Sequence, residues 1–204
     1  MSFIQIESPV DESANQQRLS HILTLILAAV LFLFGLNTRA SALNATTSYA
    51  DNQAGIRLDY PRDWLLETGV AGRDPFVFRV QNITRPGFKT TIEIAIQPVG
   101  RDTTERNVLD SLSMSRFNTL AAYDVFSIDE SYVLPDGNRG FAMEYTYVET
   151  TLDPFLESIP VVVRGLDVLI ITRGQALVMT FRSDSRTFDS DLPIFTRFLR
   201  RLDY

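Results

Sequence analysis

The sequence predicts an α+β domain, in which helices flank a central antiparallel β-sheet, preceded by one N-terminal hydrophobic helix. Several segments alternate apolar and polar residues with the period of a half-buried strand, whereas two others repeat apolar residues with the period of a helix. A third observation is a hydrophobic run of fifteen residues near the N-terminus. These patterns divide the chain into a polar segment at residues 1–21, a signal peptide or signal-anchor helix at 22–42, a linker at 43–54 and the α+β domain at 55–204.

The hydrophobic run extends from Ile22 to Leu36 and reads "ILTLILAAVLFLFGL". A helix of this length covers about 22 Å, which is less than the roughly 30 Å of a bilayer core and is typical of a signal peptide. Ala40 and Ala42 form a small-x-small pattern of the kind that signal peptidase accepts, and they predict cleavage after Ala42. The segment before the run is long and acidic, however, which favours an uncleaved anchor or a later start codon.

The orientation of this segment is not decided by its flanking charges. One arginine stands on each side, Arg18 before the run and Arg39 after it, so the positive-inside rule gives no preference. The cleavage pattern favours export. We therefore predict that residues 1–21 are cytoplasmic and that residues 43–204 lie outside the cytoplasmic membrane, in a periplasmic, extracellular or lumenal space. The protein is then single-pass, or secreted if the signal is cleaved.

The first predicted strand of the domain lies in "GIRLDYPRDW". Ile56, Leu58 and Tyr60 alternate with polar residues, so they should face the core. Pro61 ends the strand, and the short turn after it should carry Trp64, the only tryptophan of the chain, back over that core. The same alternation predicts two further strands, at residues 75–82 and 90–99.

A helical period follows at residues 103–120. Thr103 or Thr104 can cap the N-terminus of this helix. The predicted buried stripe consists of apolar residues at near-helical spacing: Val108, Leu109, Leu112, Phe117 and Leu120.

Four more strands are predicted after this helix. Residues 123–134 and 140–150 form a hairpin around a Pro-Asp-Gly-Asn turn, and residues 160–173 and 175–183 follow. The last two contain continuous apolar stretches, which predict strands in the middle of the sheet. On the strand at residues 140–150, four large side chains should share one face: Phe141, Met143, Tyr145 and Tyr147.

The chain ends in a predicted amphipathic helix, capped by Ser190 or Asp191. Its apolar stripe contains Phe188, Leu192, Phe195, Leu199 and Leu202. The opposite face carries three arginines, Arg197, Arg200 and Arg201, which either lie in solvent or contact acidic lipid or another subunit.

From Tyr49 onward the chain resembles the PsbP-like family, which includes the extrinsic photosystem II protein and shares its fold with a Ran-binding nuclear transport factor. The resemblance begins with Tyr49, then Gly55, then an alternating strand that ends at Tyr60 and Pro61. Trp64 follows three residues after the proline. The segment "GLDVLIITRGQALVMTFRS" and the amphipathic helix beginning near Phe188 follow in the order of the family. The resemblance implies a sheet between helices, a location on the outer or lumenal side of a membrane, and a non-enzymatic assembly or binding role. The metal-binding histidines of plant members are missing.

Composition excludes several kinds of chemistry. The chain has no cysteine, and its single histidine, His21, borders the hydrophobic run, so thiol nucleophiles, zinc ribbons and Ser-His-Asp triads are excluded from the domain. The formal charge of −6 and the single lysine argue against nucleic acid binding. Glu93 and Glu144 lie opposite apolar stripes and should face solvent rather than form a catalytic pair. We predict that the protein is not an enzyme and that it holds no cofactor or metal.

The candidate partner-binding site is the long connection between the strands at residues 140–150 and 160–173. It presents Phe155 and Leu156 between Asp153 and Glu157, and long loops on a rigid scaffold often carry contacts. The alternative is a loop that folds back over the edge of the sheet.

Together these features predict an exported or membrane-tethered interaction module. It would be an accessory subunit or assembly factor of a photosynthetic or respiratory membrane complex, with the membrane contacted through residues 22–36. The alternative is a soluble envelope protein that binds a small ligand or damaged protein after signal cleavage.

Overall fold

The computed structural model describes residues 10–43, 45–150 and 159–204, with side chains from residue 18 to residue 38 in the first range. The described residues form three helices and nine strands. In chain order these are α1 (Val10–Leu43), β1 (Thr46–Asp51), β2 (Ile56–Pro61), β3 (Leu65–Thr68), β4 (Phe78–Gln81), β5 (Thr91–Pro98), α2 (Glu105–Thr119), β6 (Ala121–Val133), β7 (Arg139–Glu149), β8 (Val161–Thr172), β9 (Gln175–Asp184) and α3 (Phe188–Arg200).

The chain divides into two compact units, residues 1–45 and 46–204. The first unit contains α1. Its segment Arg18–Thr38 has 21 residues with a mean hydropathy of 2.4, and none of that segment is buried. At 1.5 Å per residue it spans about 32 Å, because the helix continues beyond the fifteen-residue run, so it is long and apolar enough to cross a bilayer.

The second unit is built on a seven-stranded sheet in the order β3-β4-β5-β9-β8-β7-β6. Every neighbouring pair is antiparallel. Strand β9 is the middle strand and β8 lies beside it, which confirms the central position predicted from their apolar runs. Strand β6 lies at one edge and β3 at the other.

The prediction of a single sheet was wrong, and the predicted linker at residues 43–54 contains a strand. Strand β1 lies within that linker and pairs with β2 in a separate two-stranded sheet, with Tyr49 opposite Leu58. The sequence of β1, "TTSYAD", is polar on both faces and therefore has no alternation that marks a strand. Strand β3 was also missed, since it has only four residues.

One face of the large sheet carries an aromatic core beneath α3. Ile56, Leu58 and Tyr60 are buried as predicted, and Trp64 is only 6% exposed. The backbone N–H of Trp64 donates to the Pro61 carbonyl (3.1 Å), which closes the predicted turn. Phe181 stacks on Phe195 of α3 with 5.3 Å between the ring centroids.

Helix α3 begins at Phe188, so the predicted capping by Ser190 or Asp191 was wrong. Asp191 lies in the first turn but is buried. Its carboxylate accepts hydrogen bonds from Ser183 (2.9 Å), Thr90 (3.0 Å) and Arg85 (2.8 Å). The carboxylate thus joins α3 to the β4–β5 connection, and its place near the helix N-terminus suits the helix dipole.

The opposite face of the sheet carries a second core beneath α2. Met143, Tyr145 and Tyr147 are buried there and Phe141 packs beside them, as predicted for β7. Val108 and Leu109 of α2 cover them. The helix begins with the predicted cap, because Thr104 Oγ1 accepts from the Asn107 N–H (3.3 Å) and Asn107 Oδ1 accepts from the Thr104 N–H (3.1 Å).

The C-terminal residues return to β2. The Arg57 N–H donates to the Asp203 carbonyl (2.9 Å), and the Asp203 N–H donates to the Arg57 carbonyl (2.8 Å). The Tyr204 hydroxyl donates to Asp136 in the turn between β6 and β7 (2.8 Å). The end of the domain is therefore fixed to its first described hairpin and to a distant turn.

Candidate interaction surface

Helix α2 turns an arginine toward the sheet. Arg116 reaches Asp167 of β8, whose side chain is fully buried, through two hydrogen bonds: Nη2 donates to Oδ1 (3.0 Å) and Nη1 donates to Oδ2. Thr180 Oγ1 of β9 also donates to Asp167 Oδ1 (2.7 Å). Burial alone would lower the pKa of Arg116, but the Asp167 carboxylate raises that pKa above its ordinary value, so the guanidinium remains charged. A bidentate ion pair therefore fixes the C-terminal half of α2 to the middle of the sheet.

Tyr145 lies beneath this ion pair. The Arg116 guanidinium carbon is 4.3 Å from the centroid of the tyrosine ring, a cation–π geometry. The ring extends across Gly165 of β8, where a Cβ atom would lie 2.5 Å from the Tyr145 hydroxyl oxygen. Glycine at residue 165 is therefore what lets the ring lie flat on the neighbouring strand.

We expect Gly165→Ala to lower the free energy of unfolding by about 1–3 kcal/mol, the usual cost of overpacking a core. The added methyl group must displace the Tyr145 ring, which is fully buried and has no free space to enter. Urea unfolding followed by circular dichroism measures the effect. The same substitution should cost less when it is made in a Tyr145→Leu background, and an equal cost in both backgrounds would contradict this steric account.

The hydroxyl of Tyr145 has no hydrogen-bond partner among the residues that the structure describes. Burial raises the pKa of Tyr145 and Asp167 raises it further, whereas Arg116 and Arg182 lower it, with a net increase over the ordinary value. The folded state then keeps a proton that the unfolded chain, with a pKa of about 10, releases first. Stability from this group is fully present below about pH 10 and is lost as the pH rises further.

Tyr145→Phe should therefore flatten the alkaline loss of stability. We expect a change of less than about 1 kcal/mol at pH 7, because no protein–protein hydrogen bond is given up. Above about pH 10 the variant should exceed the wild type in unfolding free energy, as measured by urea titrations at several pH values. Parallel curves for the two proteins would contradict the assignment.

A second ion-pair group lies on the same face of the sheet, nearer β3. Glu93 accepts from Arg79 Nε and Arg182 Nη2, both at 2.9 Å, and Arg79 Nη1 also donates to Glu67 (3.3 Å). The prediction that Glu93 faces open solvent was wrong, since its side chain is only 16% exposed. Glu93 alternates with the apolar residues Ile92 and Ile94 and so points to the other face of the sheet, on the side of α2. That face is covered partly by paired charges and is not open to solvent. Glu144, also predicted to face solvent, is partly buried and pairs with Arg164 (2.7 Å).

The outward side of α2 is apolar near its C-terminus. Met114 is 64% exposed and Phe117 is 67% exposed, one turn apart on the helix. The prediction that Phe117 belongs to the buried stripe was wrong. The stripe repeats every four residues through Val108 and Leu112, so its next member is Arg116 and Phe117 falls beyond it.

This side of α2 adjoins the edge strand β6. Arg106 of α2 joins the two elements, since its Nη1 donates to Glu130 of β6 (2.8 Å) and its Nε donates to Asp110 (3.1 Å). Ile128 of β6 is 37% exposed. We call the solvent-facing side of α2 and β6 the α2–β6 surface. Its residues are Asp110, Met114, Phe117, Ile128 and Glu130.

The residues predicted as a partner-binding loop, Asp153, Phe155, Leu156 and Glu157, lie outside the described residues. The predicted cleavage pattern, Ala40 and Ala42, lies within the backbone of α1. Arg201, one of the three arginines predicted on the outer face near the end of α3, donates to Asp59 of β2 (2.8 Å).

The residues of the predicted start signature occupy the β1–β2 hairpin and the turn after it. Tyr49 packs on the core, its ring centroid 5.2 Å from that of Phe78. Gly55 has φ +72°, the left-handed conformation that the hairpin turn requires. Tyr60 and Pro61 form the end of β2.

In the part of the chain that the structure describes, no three histidine, aspartate or glutamate residues are grouped closely enough to hold a metal ion. A cleft near the C-terminus, lined by residues that include Ala54, Ile96, Arg173 and Tyr204, has a volume of about 30 Å³.

No family model matches the chain, and no curated protein matches it by sequence. Among solved structures, cyanobacterial PsbP (CyanoP) from Synechocystis sp. PCC 6803 superposes with a TM-score of 0.56 at 11% identity, over 78% of this chain and 92% of that one. The fold is PsbP-like. The PsbP-like domain, residues 46–204, thus confirms the fold that the sequence resemblance implied.

Two further solved structures superpose with lower TM-scores. LpqN of Mycobacterium tuberculosis, described as involved in cell envelope biogenesis, superposes with a TM-score of 0.48 at 15% identity, over 78% of this chain and 89% of LpqN. The Ran-binding protein Mog1p of Saccharomyces cerevisiae superposes with a TM-score of 0.47 at 9% identity, over 78% of this chain and 95% of Mog1p.

Proposed function

We propose that the chain is a non-catalytic interaction module, an accessory subunit or assembly factor of a photosynthetic or respiratory membrane complex. Helix α1 directs the PsbP-like domain across a membrane and anchors it there unless the signal is cleaved. The domain then acts outside the cytoplasm and binds its partner protein through the α2–β6 surface.

The observation that carries this proposal is the inverted arrangement at the end of α2. Arg116 is placed inward and needs a buried carboxylate, while Met114 and Phe117 face solvent. Burial of a side chain as large as Phe or Met contributes about 1.5–3 kcal/mol, which the isolated domain does not gain here. A buried ion pair, moreover, is rarely more stable than apolar packing of the same volume. The arrangement therefore serves the outer face of α2 better than it serves stability. Neighbouring apolar side chains that form one exposed patch, unlike single exposed ones, mark surfaces that contact other proteins.

A non-catalytic role fits the chemistry of the chain. Histidine and cysteine are absent from the PsbP-like domain, and its buried acids are engaged with arginines or hydroxyls. The rival hypothesis, a soluble envelope protein that binds a small ligand, has less support, because the cleft beside Tyr204 is small, with a volume of about 30 Å³.

Co-purification tests the binding role. The full chain, carrying a C-terminal tag, is extracted from membranes in mild detergent and its stoichiometric partners are identified for wild type and Phe117→Ser. A matched control is Ile83→Ser, because Ile83 is a similarly exposed apolar residue (51%) between β4 and β5. We expect a membrane-complex subunit with wild type and with the control, and its loss with Phe117→Ser. A monomer without partners, or equal loss in both variants, would contradict the proposal.

Mass spectrometry of the same material tests the membrane role. A mature N-terminus at Leu43 shows cleavage and release of the domain, and an intact α1 in the membrane fraction shows anchoring. A chain with intact α1 found in the cytosolic fraction would contradict export altogether.

A further inference from the structure

The exposed charges of α2 and β6 are almost all negative. Four exposed carboxylates and that of the half-buried Glu105 contrast on these two elements with one exposed guanidinium, that of Arg106, because Arg116 is neutralised by Asp167. The formal balance is −4. The carboxylates are those of Glu105, Asp110, Asp124, Asp129 and Glu130.

The apolar side chains of the surface lie among these acids. Asp110 stands one turn before Met114 on the same side of α2, and its side chain is 59% exposed. Glu130 is equally exposed and follows Ile128 on β6. Both acids share the single cation of Arg106, so each keeps carboxylate lone pairs that can accept further hydrogen bonds.

A surface of this composition is poorly suited to lipid. Insertion of Met114 and Phe117 into a bilayer would draw the carboxylates of Asp110 and Glu130 out of water, and removing a charge from water without full pairing costs free energy. A protein segment with Lys or Arg beside apolar side chains matches both properties, since its cations pair with the acids while its apolar groups cover Met114 and Phe117.

We propose that the segment bound by the α2–β6 surface is a cationic, partly apolar segment of a partner protein, and that this surface faces away from the bilayer. The inference rests on the proposed function and adds the chemistry of the partner. Opposite charges also accelerate association, so the complex should form faster at low salt than at high salt.

Photo-crosslinking from residue 117 tests this inference in the full chain. Benzoylphenylalanine replaces Phe117, whose exposure leaves room for the larger ring, and membranes are irradiated before the adduct is sequenced by mass spectrometry. We expect an adduct with a protein segment that contains more Lys and Arg than Asp and Glu. An adduct with lipid, or with a neutral or acidic segment, would overturn the inference.

Charge variants supply the control. Asp110→Asn/Glu130→Gln should lower the yield of the adduct at least about threefold, and raised salt should lower the wild-type yield in the same direction. Asp63→Asn, an exposed acid before Trp64, should leave the yield unchanged. Equal yields from all three proteins would overturn the inference. A partner still lost through Phe117→Ser would leave the proposed function intact, whereas no protein adduct at all would count against that function itself.

Discussion

Replacement of Asp167 by alanine should lower the free energy of unfolding of the PsbP-like domain by about 3–5 kcal/mol, the cost of leaving a buried charge without its partner. Arg116 would then lie beneath its own helix with Thr180 as a weak neighbour at 3.4 Å. Urea unfolding of residues 46–204, followed by the fluorescence of Trp64, measures the change.

Two further variants separate charge from packing in this experiment. Arg116→Met/Asp167→Leu removes both charges, so it should recover most of the loss, because apolar groups of similar volume often replace a buried ion pair without cost. Arg106→Ala breaks only exposed ion pairs and should cost no more than about 1 kcal/mol. A loss below about 1 kcal/mol for Asp167→Ala would contradict the role of this pair.

Trp64→Ala should be equally damaging, with a loss of about 3–5 kcal/mol for a buried aromatic side chain. The tryptophan belongs to the core under α3 and is held there by the turn that begins at Pro61. Circular dichroism must follow this variant, since it has no other tryptophan. Leu65→Ala is the matched control. The Leu65 side chain follows Trp64 in the sequence and is 47% exposed, so its truncation should cost much less. Native-like stability of Trp64→Ala would contradict burial of the ring.

The regular elements could be predicted because their periods are local. Alternation in β2 and β5 and the apolar runs of β8 and β9 follow directly from which faces are buried. Strand β1 could not be predicted this way, since its pairing with β2 uses backbone groups while most of its side chains remain in solvent. A polar strand forms because of the strand that it pairs with, and an apolar–polar pattern within its own sequence does not reveal that pairing.

The interaction surface could not be predicted from the helical period alone. Arg116 and Phe117 are adjacent. Hydrophobicity predicts that Phe117 is the buried one, whereas the four-residue repeat of the stripe puts Arg116 there. A signal was present in β8, where Asp167 is the only charge in the apolar run from Gly165 to Ile171. A carboxylate in a strand covered on both faces requires a cation, and an inward arginine on a helix that crosses the sheet supplies it.

The backbone bridge between Arg57 and Asp203 has a consequence for biosynthesis. The first hairpin of the domain has no partner for its Arg57 N–H and carbonyl until the last residues of the domain have been synthesised. Strand β5 must likewise wait for β9 before it has neighbours on both sides. Contacts so distant along the chain form slowly and late. The domain therefore cannot complete its native fold until its last residues have been synthesised.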